Sequence, residues 1–239
     1  VGALDSITTG DWNTAVGDDA LTAVTTGVRN TAIGESALQS VISASHNTAV
    51  GQNALGNNIS SYNTAVGKSS SGSNTTGNYN TSVGYQSLQS NTTGDRNSAI
   101  GSSALYSNTT GDYNVANGYN ALYSNTTGGN NVANGYEALR LNTTGANNTA
   151  VGKFSLLNNT TGSTNVAIGF QAMRDAITGS SNVAIGQNAL VYNSAGNENV
   201  AVGQNSLFGN TTGIKNTALG MGALQSNTTI GNNTAVGYN

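Results

Sequence analysis

The sequence repeats with a period of seventeen residues. The segment NVANG at 114–118 returns at 131–135, and similar segments run along the whole chain. With the first Asn as position 1, position 5 is Gly, position 4 is usually Val or Ile, position 9 is usually Leu, and the unit closes with Asn-Thr-Thr-Gly. A fixed period of this length indicates supersecondary units that stack on one another. The position 1 residues are Asn13, Asn30, Asn47, Asn63, Asn80, Asn97, Asn114, Asn131, Asn148, Asn165, Asn182, Asn199, Asn216 and Asn233.

The local pattern predicts short strands and turns. In NVAIG at 165–169 the large apolar residues alternate, which is typical of a strand with one buried face. We therefore expect position 4 to point inward and Ala at position 3 to point away. Gly at position 5 permits a turn, and we expect Ala-Leu at positions 8 and 9 to form a second brief strand. In the return turn we expect Asn and Gly of Asn-Thr-Thr-Gly to take left-handed conformations. Two glycines per unit exclude a helix, at about 1 kcal/mol each.

These features predict an all-β fold, a parallel β-solenoid (a β-roll or β-helix) of about fourteen coils of seventeen residues. We expect one repeat array over 1–239 with an irregular coil near 56–72, because the step from Asn47 to Asn63 is sixteen residues and Ser71 replaces Leu at position 9. The position 1 ladder should stay in register there, amide bonded to amide. Because the chain starts and stops inside a unit, we expect it to be a segment of a longer chain or filament.

Two coils carry a polar residue at the expected inward position. Asn117 and Asn134 replace Val or Ile at position 4. An unpaired buried amide costs roughly 1–3 kcal/mol, so these side chains should bond to each other or to trapped water.

One Leu and one Val or Ile per coil make a thin core, and the ends of a solenoid present unpaired strand backbone that recruits other chains. We expect self-association, as a homotrimer first and as a helical filament second.

Composition excludes several classes of function. Charged residues are 7% of the chain and the net charge is −3, which leaves no basic stripe for nucleic acid. No apolar run approaches the roughly 20 residues of a membrane span, so we expect no membrane insertion. Cysteine and proline are both absent. Stability therefore does not come from disulfides, and nearly every backbone N–H is free to join a hydrogen-bonded ladder.

The chemistry-bearing residues predict no enzyme, no cofactor and no metal site. His46 is the only histidine, so one chain cannot assemble an imidazole cluster or a His-based triad, and we interpret it as a solvated turn residue. The carboxylates share no repeat position, whereas calcium β-rolls need a recurrent Asp in a Gly-rich turn. A phosphate-binding loop of the Gly-x-x-x-x-Gly-Lys type is also missing.

The repeat resembles two families of surface fibres. NVAIG at 165–169 and 182–186, with Ala following two residues later, resembles the repeats of trimeric autotransporter adhesin heads. The longer pattern NTAVGxxALxxNTTG resembles the repeat shafts of phage tail fibres. The resemblance covers the whole chain, although this unit is three residues longer than that of the adhesin heads. It implies a trimeric parallel β-roll on a bacterial or virion surface, with no catalytic residues.

Two sets of surface residues are candidate sites. Aromatic residues recur at positions 17 and 6, where they could contact glycans or pack against neighbouring coils and protomers; the densest are Tyr79, Tyr85, Tyr113, Tyr119 and Tyr136. Asn-x-Thr sequons recur at position 12, either as acceptors of N-linked glycan or as turn residues only. These asparagines are Asn74, Asn91, Asn108, Asn125, Asn142, Asn159, Asn210 and Asn227.

We therefore expect a non-enzymatic extracellular fibre, an adhesin shaft or head at a cell surface or in a virion fibre. The first alternative is a module that recognises cell-surface glycans. The second is an ice-binding solenoid, which needs a flat Thr-x-Thr array. Adjacent Thr residues of Asn-Thr-Thr point to opposite faces, and position 2 is only partly Thr.

Overall fold

The computed structural model describes residues 2–238, so the terminal positions Val1 and Asn239 of the predicted array lie outside the described residues. Each coil contributes one strand of three residues at positions 2–4, and the described residues contain no helix. The predicted fold class is confirmed, since the chain is an all-β parallel β-solenoid of about fourteen coils. The strands are β1 Thr14–Val16, β2 Thr31–Ile33, β3 Thr48–Val50, β4 Thr64–Val66, β5 Thr81–Val83, β6 Ser98–Ile100, β7 Val115–Asn117, β8 Val132–Asn134, β9 Thr149–Val151, β10 Val166–Ile168, β11 Val183–Ile185, β12 Val200–Val202, β13 Thr217–Leu219 and β14 Thr234–Val236.

The chain divides into two compact units, one ending at Asn117 and the other beginning at Gly118. In unit 1, strands β1 to β7 pair in parallel in sequence order, as Thr14 with Thr31 shows. In unit 2, strands β8 to β14 pair in the same way, as Val166 with Val183 shows. Each repeat position therefore forms a row of side chains along a unit.

The position 1 asparagine closes each coil and joins it to the next. Asn97 Nδ2 donates to the carbonyl of Gly111 at position 15 of the same coil, at 2.9 Å. Asn97 Oδ1 accepts the backbone N–H of Asn114 in the following coil, also at 2.9 Å. The predicted amide-to-amide link is longer, 3.2 Å between Asn114 Nδ2 and Asn97 Oδ1. The main connection thus joins a side-chain carbonyl to backbone.

The interior holds small residues, and the predicted inward face is wrong. Ala99 at position 3 is 0% exposed, whereas Ile100 at position 4 is 44% exposed. Asn117 and Asn134 are likewise exposed, so the expectation that these amides are buried is wrong. Ala and Leu of positions 8 and 9 and Asn of positions 1 and 12 complete the core.

A serine cluster shows why position 3 must be small. Ser82, which replaces Ala at position 3, places its Oγ 2.6 Å from Ser70 Oγ and 2.8 Å from Ser71 Oγ. Ser70 and Ser71 occupy positions 8 and 9 of the preceding coil, so the two walls of the coil approach closely. A Val or Ile at position 3 would overfill this space, because close-packed interiors accommodate little added volume.

The turns differ from the predicted ones. Positions 8 and 9 form no second strand, and the left-handed non-Gly residues lie at positions 7, 9 and 17 rather than at Asn of Asn-Thr-Thr-Gly. Leu105 at position 9, for example, has φ +52° although it is fully buried. Gly84 at position 5 has φ +137°, and a Cβ there would lie 2.5 Å from the carbonyl oxygen of Gly101 in the next coil.

Position 12 forms a second buried asparagine ladder. Asn108 Nδ2 donates to Asn91 Oδ1 at 2.9 Å and to the Gly111 carbonyl at 3.0 Å. The ladder is interrupted at Ala176, which has no amide to offer the preceding coil. Asn159 Oδ1 is consequently buried without a hydrogen-bond partner.

The sixteen-residue coil keeps the position 1 ladder in register, as predicted, and it also keeps the position 12 ladder in register. The backbone N–H of Asn63 donates to Asn47 Oδ1 at 2.9 Å, across the shortened step. In the position 12 ladder, Asn74 Nδ2 donates to Asn58 Oδ1 at 2.7 Å. Ser60 takes the place of Gly at position 15, and the irregularity stays within unit 1.

Restoring the interrupted ladder should stabilise the chain. In Ala176→Asn the new amide can donate to Asn159 Oδ1, so we expect the free energy of unfolding to rise by about 1 kcal/mol. Ala176→Val is the matched control, because Val24 and Val41 occupy position 12 in other coils. Urea denaturation of both variants measures the difference. Equal stability of the Asn and Val variants would contradict the role assigned to the missing amide.

Removing the central hydroxyl of the serine cluster should destabilise unit 1. Ser82→Ala leaves the buried Ser71 hydroxyl without its partner, while Ser70 Oγ keeps Ser87 Oγ and the carbonyl of residue 82. We expect a cost of about 1–3 kcal/mol in thermal or urea denaturation. Ser206→Ala is the control, because the Ser206 hydroxyl donates to the Gly203 carbonyl of its own coil at 2.8 Å and belongs to no such cluster. A cost for Ser82→Ala no greater than that of the control would show that the cluster adds nothing.

Candidate functional site

A row of planar side chains runs along the surface of unit 1 at position 17. His46 stacks on Tyr62, and Tyr62 stacks on Tyr79, with centroid separations of 5.0 Å and interplanar angles of 7° and 5°. The Arg96 guanidinium lies 5.5 Å from the Tyr79 ring centroid on one side and 5.3 Å from that of Tyr113 on the other. We call the row the planar column; its members are Trp12, Arg29, His46, Tyr62, Tyr79, Arg96 and Tyr113.

The column places two of the predicted tyrosines, Tyr79 and Tyr113, in one row. Both are about half exposed, at 53% and 50%. Tyr85 is also exposed but lies at position 6, with Ser102 at the same position of the next coil. Because neighbours along the column cover the ring faces, these residues mainly offer ring edges and hydroxyls to solvent.

The other two predicted tyrosines belong to a group in unit 2. Tyr119 stacks on Tyr136 at 5.3 Å, and Phe154 meets Tyr136 edge-on at 5.5 Å. The ammonium of Lys153 lies 5.3 Å from the Tyr136 centroid. The five predicted tyrosines therefore comprise Tyr79 and Tyr113 in the position 17 column of unit 1, Tyr85 at position 6 of unit 1, and the stacked pair at position 6 of unit 2.

Sequence reasoning missed the cationic members of the column. Arg29 lies 4.6 Å from the Trp12 ring, and Arg96 Nη1 donates to the Tyr113 hydroxyl at 2.9 Å. His46 is exposed, as expected of a turn residue, but it also extends the aromatic stack. The signal was present in the repeat, since all these planar groups share position 17, but aromatic residues alone do not reveal the guanidinium members.

The sequon asparagines lie inside the coils. Asn74, Asn91 and Asn108 are 0% exposed, and the same holds for the others up to Asn210. Asn91 Nδ2, the atom that would carry a glycan, donates to Asn74 Oδ1 at 2.7 Å and to the Gly94 carbonyl at 2.9 Å. Asn227 is half-buried and makes the equivalent bonds. A glycan on any of these atoms would displace a ladder bond.

The buried position of the sequons predicts their modification state. After secretion through a route that attaches N-linked glycan, we expect peptide mapping of the folded protein to find Asn91 and Asn108 unmodified, because a buried Nδ2 has no room for a sugar. Material unfolded before exposure to the same machinery is the control. Occupancy of either site in folded material would contradict the ladder geometry.

The strands also present an outward face, which we define as the side chains at positions 2 and 4. None of these residues carries charge in any strand. Unit 1 has Thr at position 2 in β1 to β5, whereas β10 to β12 of unit 2 have Val at position 2 and Ile or Val at position 4. Apolar residues such as Ile168 and Ile185 are thus left exposed in a regular array.

Charged and metal-ligating side chains are dispersed in the described part of the chain, residues 2–238. No group of three His, Cys, Asp or Glu residues in that range could hold a metal ion. A hydrogen bond from Arg174 to Asp175 raises the pKa of the Arg174 guanidinium, against a smaller opposing effect of burial. The same part of the chain also contains no helix long and apolar enough to cross a membrane.

No protein-family model, curated protein or solved structure matches this chain significantly. The fold and the surface rows described above therefore carry the functional argument.

Proposed function

We propose that this chain is a non-enzymatic structural segment of an extracellular fibre, an adhesin shaft or head at a cell surface or in a virion, which self-associates through its outward face. A homotrimer is the leading assembly and a helical filament is the second. The observation that carries the proposal is the array of Val and Ile side chains that the fold leaves outside its own core.

The geometry of the outward face favours association with a similar flat surface. At about 4.8 Å per strand, the seven strands of unit 2 give rows about 34 Å long, with positions 2 and 4 about 6.6 Å apart. Association would bury this area at about 25 cal/mol per Å². The absence of charge on these strands removes the main cost of such burial.

The structure gives less support to the alternatives. A glycan-binding module would use exposed ring faces, but the stacked rings of the planar column cover one another. An ice-binding face requires Thr at both outward positions, and position 4 carries no Thr in any strand. The fibre proposal depends on neither feature.

Charge on the outward face should reduce self-association. We expect light scattering of the purified chain to give a mass above that of one chain, and the double variant Ile168→Lys/Ile185→Lys to weaken association at least about ten-fold, since each lysine would be buried unpaired. Folding should be retained because both positions are exposed in the single chain.

The matched control is Thr144→Lys/Thr161→Lys, which adds the same charge at position 14, exposed and away from the strands. This variant should associate like the parent. A parent protein that stays monomeric at micromolar concentration, or equal weakening by both double variants, would contradict the proposal.

A further inference from the structure

We propose that the planar column of unit 1 is a binding site for elongated, planar, conjugated aromatic molecules that lie along it. The site lies on a different row from the outward face and does not depend on the fibre proposal.

The choice of residues in the column is not explained by backbone stability. Every position 17 residue is left-handed, with φ +63° at Tyr62 and +58° at Tyr79. Bulky side chains disfavour this conformation, whereas Asn tolerates it. No unit 2 residue at the same position carries a ring, and three of the seven are Asn, with φ +58° at Asn130 and +59° at Asn147. Unit 1 instead places rings there, half exposed, where they add little to the core.

The column presents a repeating set of ring edges. His46, Tyr62 and Tyr79 stack at 5.0 Å steps, so a face of each ring is covered by its neighbour. The hydrogen-bearing edge of an aromatic ring is the positive end of its quadrupole and attracts the negative face of another ring. A planar ligand laid lengthwise would thus make one edge-to-face contact per coil. A sugar ring packs against an aromatic face, and those faces are largely occupied.

The contacts are held in place before a ligand arrives. Arg96 is fixed between Tyr79 and Tyr113 and donates to the Tyr113 hydroxyl. The backbone N–H of most residues of the row also donates to the coil before it, as in the bond from the Tyr62 N–H to the Ser45 carbonyl at 3.1 Å. Binding therefore loses little side-chain entropy, which favours affinity from a few weak contacts.

The charges beside the column do not select an anion. Arg96 is positive, but Asp95 and Asp112 at position 16 are negative and accept the backbone N–H groups of Asn78 and Asp95. With both signs present in adjacent rows, aromatic contact rather than net charge should dominate recognition. The ligand class is thus defined by its shape and conjugation.

The test uses thioflavin T, an elongated planar dye, titrated into the full chain while its fluorescence is followed. We expect saturable binding of the dye. The affinity should fall at least about ten-fold in Tyr62→Asn/Tyr79→Asn, because this variant loses two aromatic contacts. Asn occupies position 17 in unit 2 with the same φ, so this variant should keep its fold, as circular dichroism would show.

The matched control is Tyr119→Asn/Tyr136→Asn, which removes a stacked tyrosine pair outside the column. Its dye affinity should stay within about two-fold of the parent, since its rings make no part of the proposed site. Tyr62→Phe/Tyr79→Phe keeps the ring edges and should also retain binding, which tests the site without a change of fold. Absence of saturable binding, equal losses in the two Asn variants, or loss in the Phe variant would overturn the proposal.

Discussion

The solenoid depends on the paired hydrogen bonds of the position 1 asparagine. The Nδ2 of each amide donates to a carbonyl of its own coil, and the Oδ1 accepts a backbone N–H of the next coil. Asn97 makes these bonds with Gly111 and Asn114. No other side chain of this length offers a donor and an acceptor in a fixed fork; Asp lacks the donor and Ser offers a single oxygen. With strands of only three residues, these buried bonds provide much of the order between coils.

The narrow interior links the fold to its surface chemistry. The distance between walls, shown by Ser82 and Ser71, admits Ala at position 3 and Leu at position 9 but no second large side chain. The Val and Ile residues of position 4 are therefore exposed. A chain with a wider coil could bury them. The same constraint that makes the coil small also leaves an apolar face on its surface.

The two units have the same coil conformation but differ in the surface residues that neither the core nor the ladders require. The residues at positions 1, 3, 5, 9 and 12 form the asparagine ladders, the close turn and the core in both units. Position 17 takes no part in any of these and holds rings and guanidinium groups in unit 1 but Asn, Thr, Ser, Glu and Lys in unit 2. A solenoid can therefore change its surface one row at a time without altering its fold.

The sequence alone determined the period, the parallel stacking, the position 1 ladder and its register across the short coil at Asn63, because a repeat reports which residues lie above one another. It also established that positions 2 and 4 share a face. Only the tertiary structure decided which face is inside, because alternation gives two faces without assigning either to the core. Hydrophobicity favoured Ile100 for the interior, whereas the close approach of the opposing wall selected Ala99. The repeat places Tyr79, Arg96 and Tyr113 in one row, but only the tertiary structure shows that Arg96 stacks between the two rings, because stacking depends on side-chain geometry that a list of residue types does not contain.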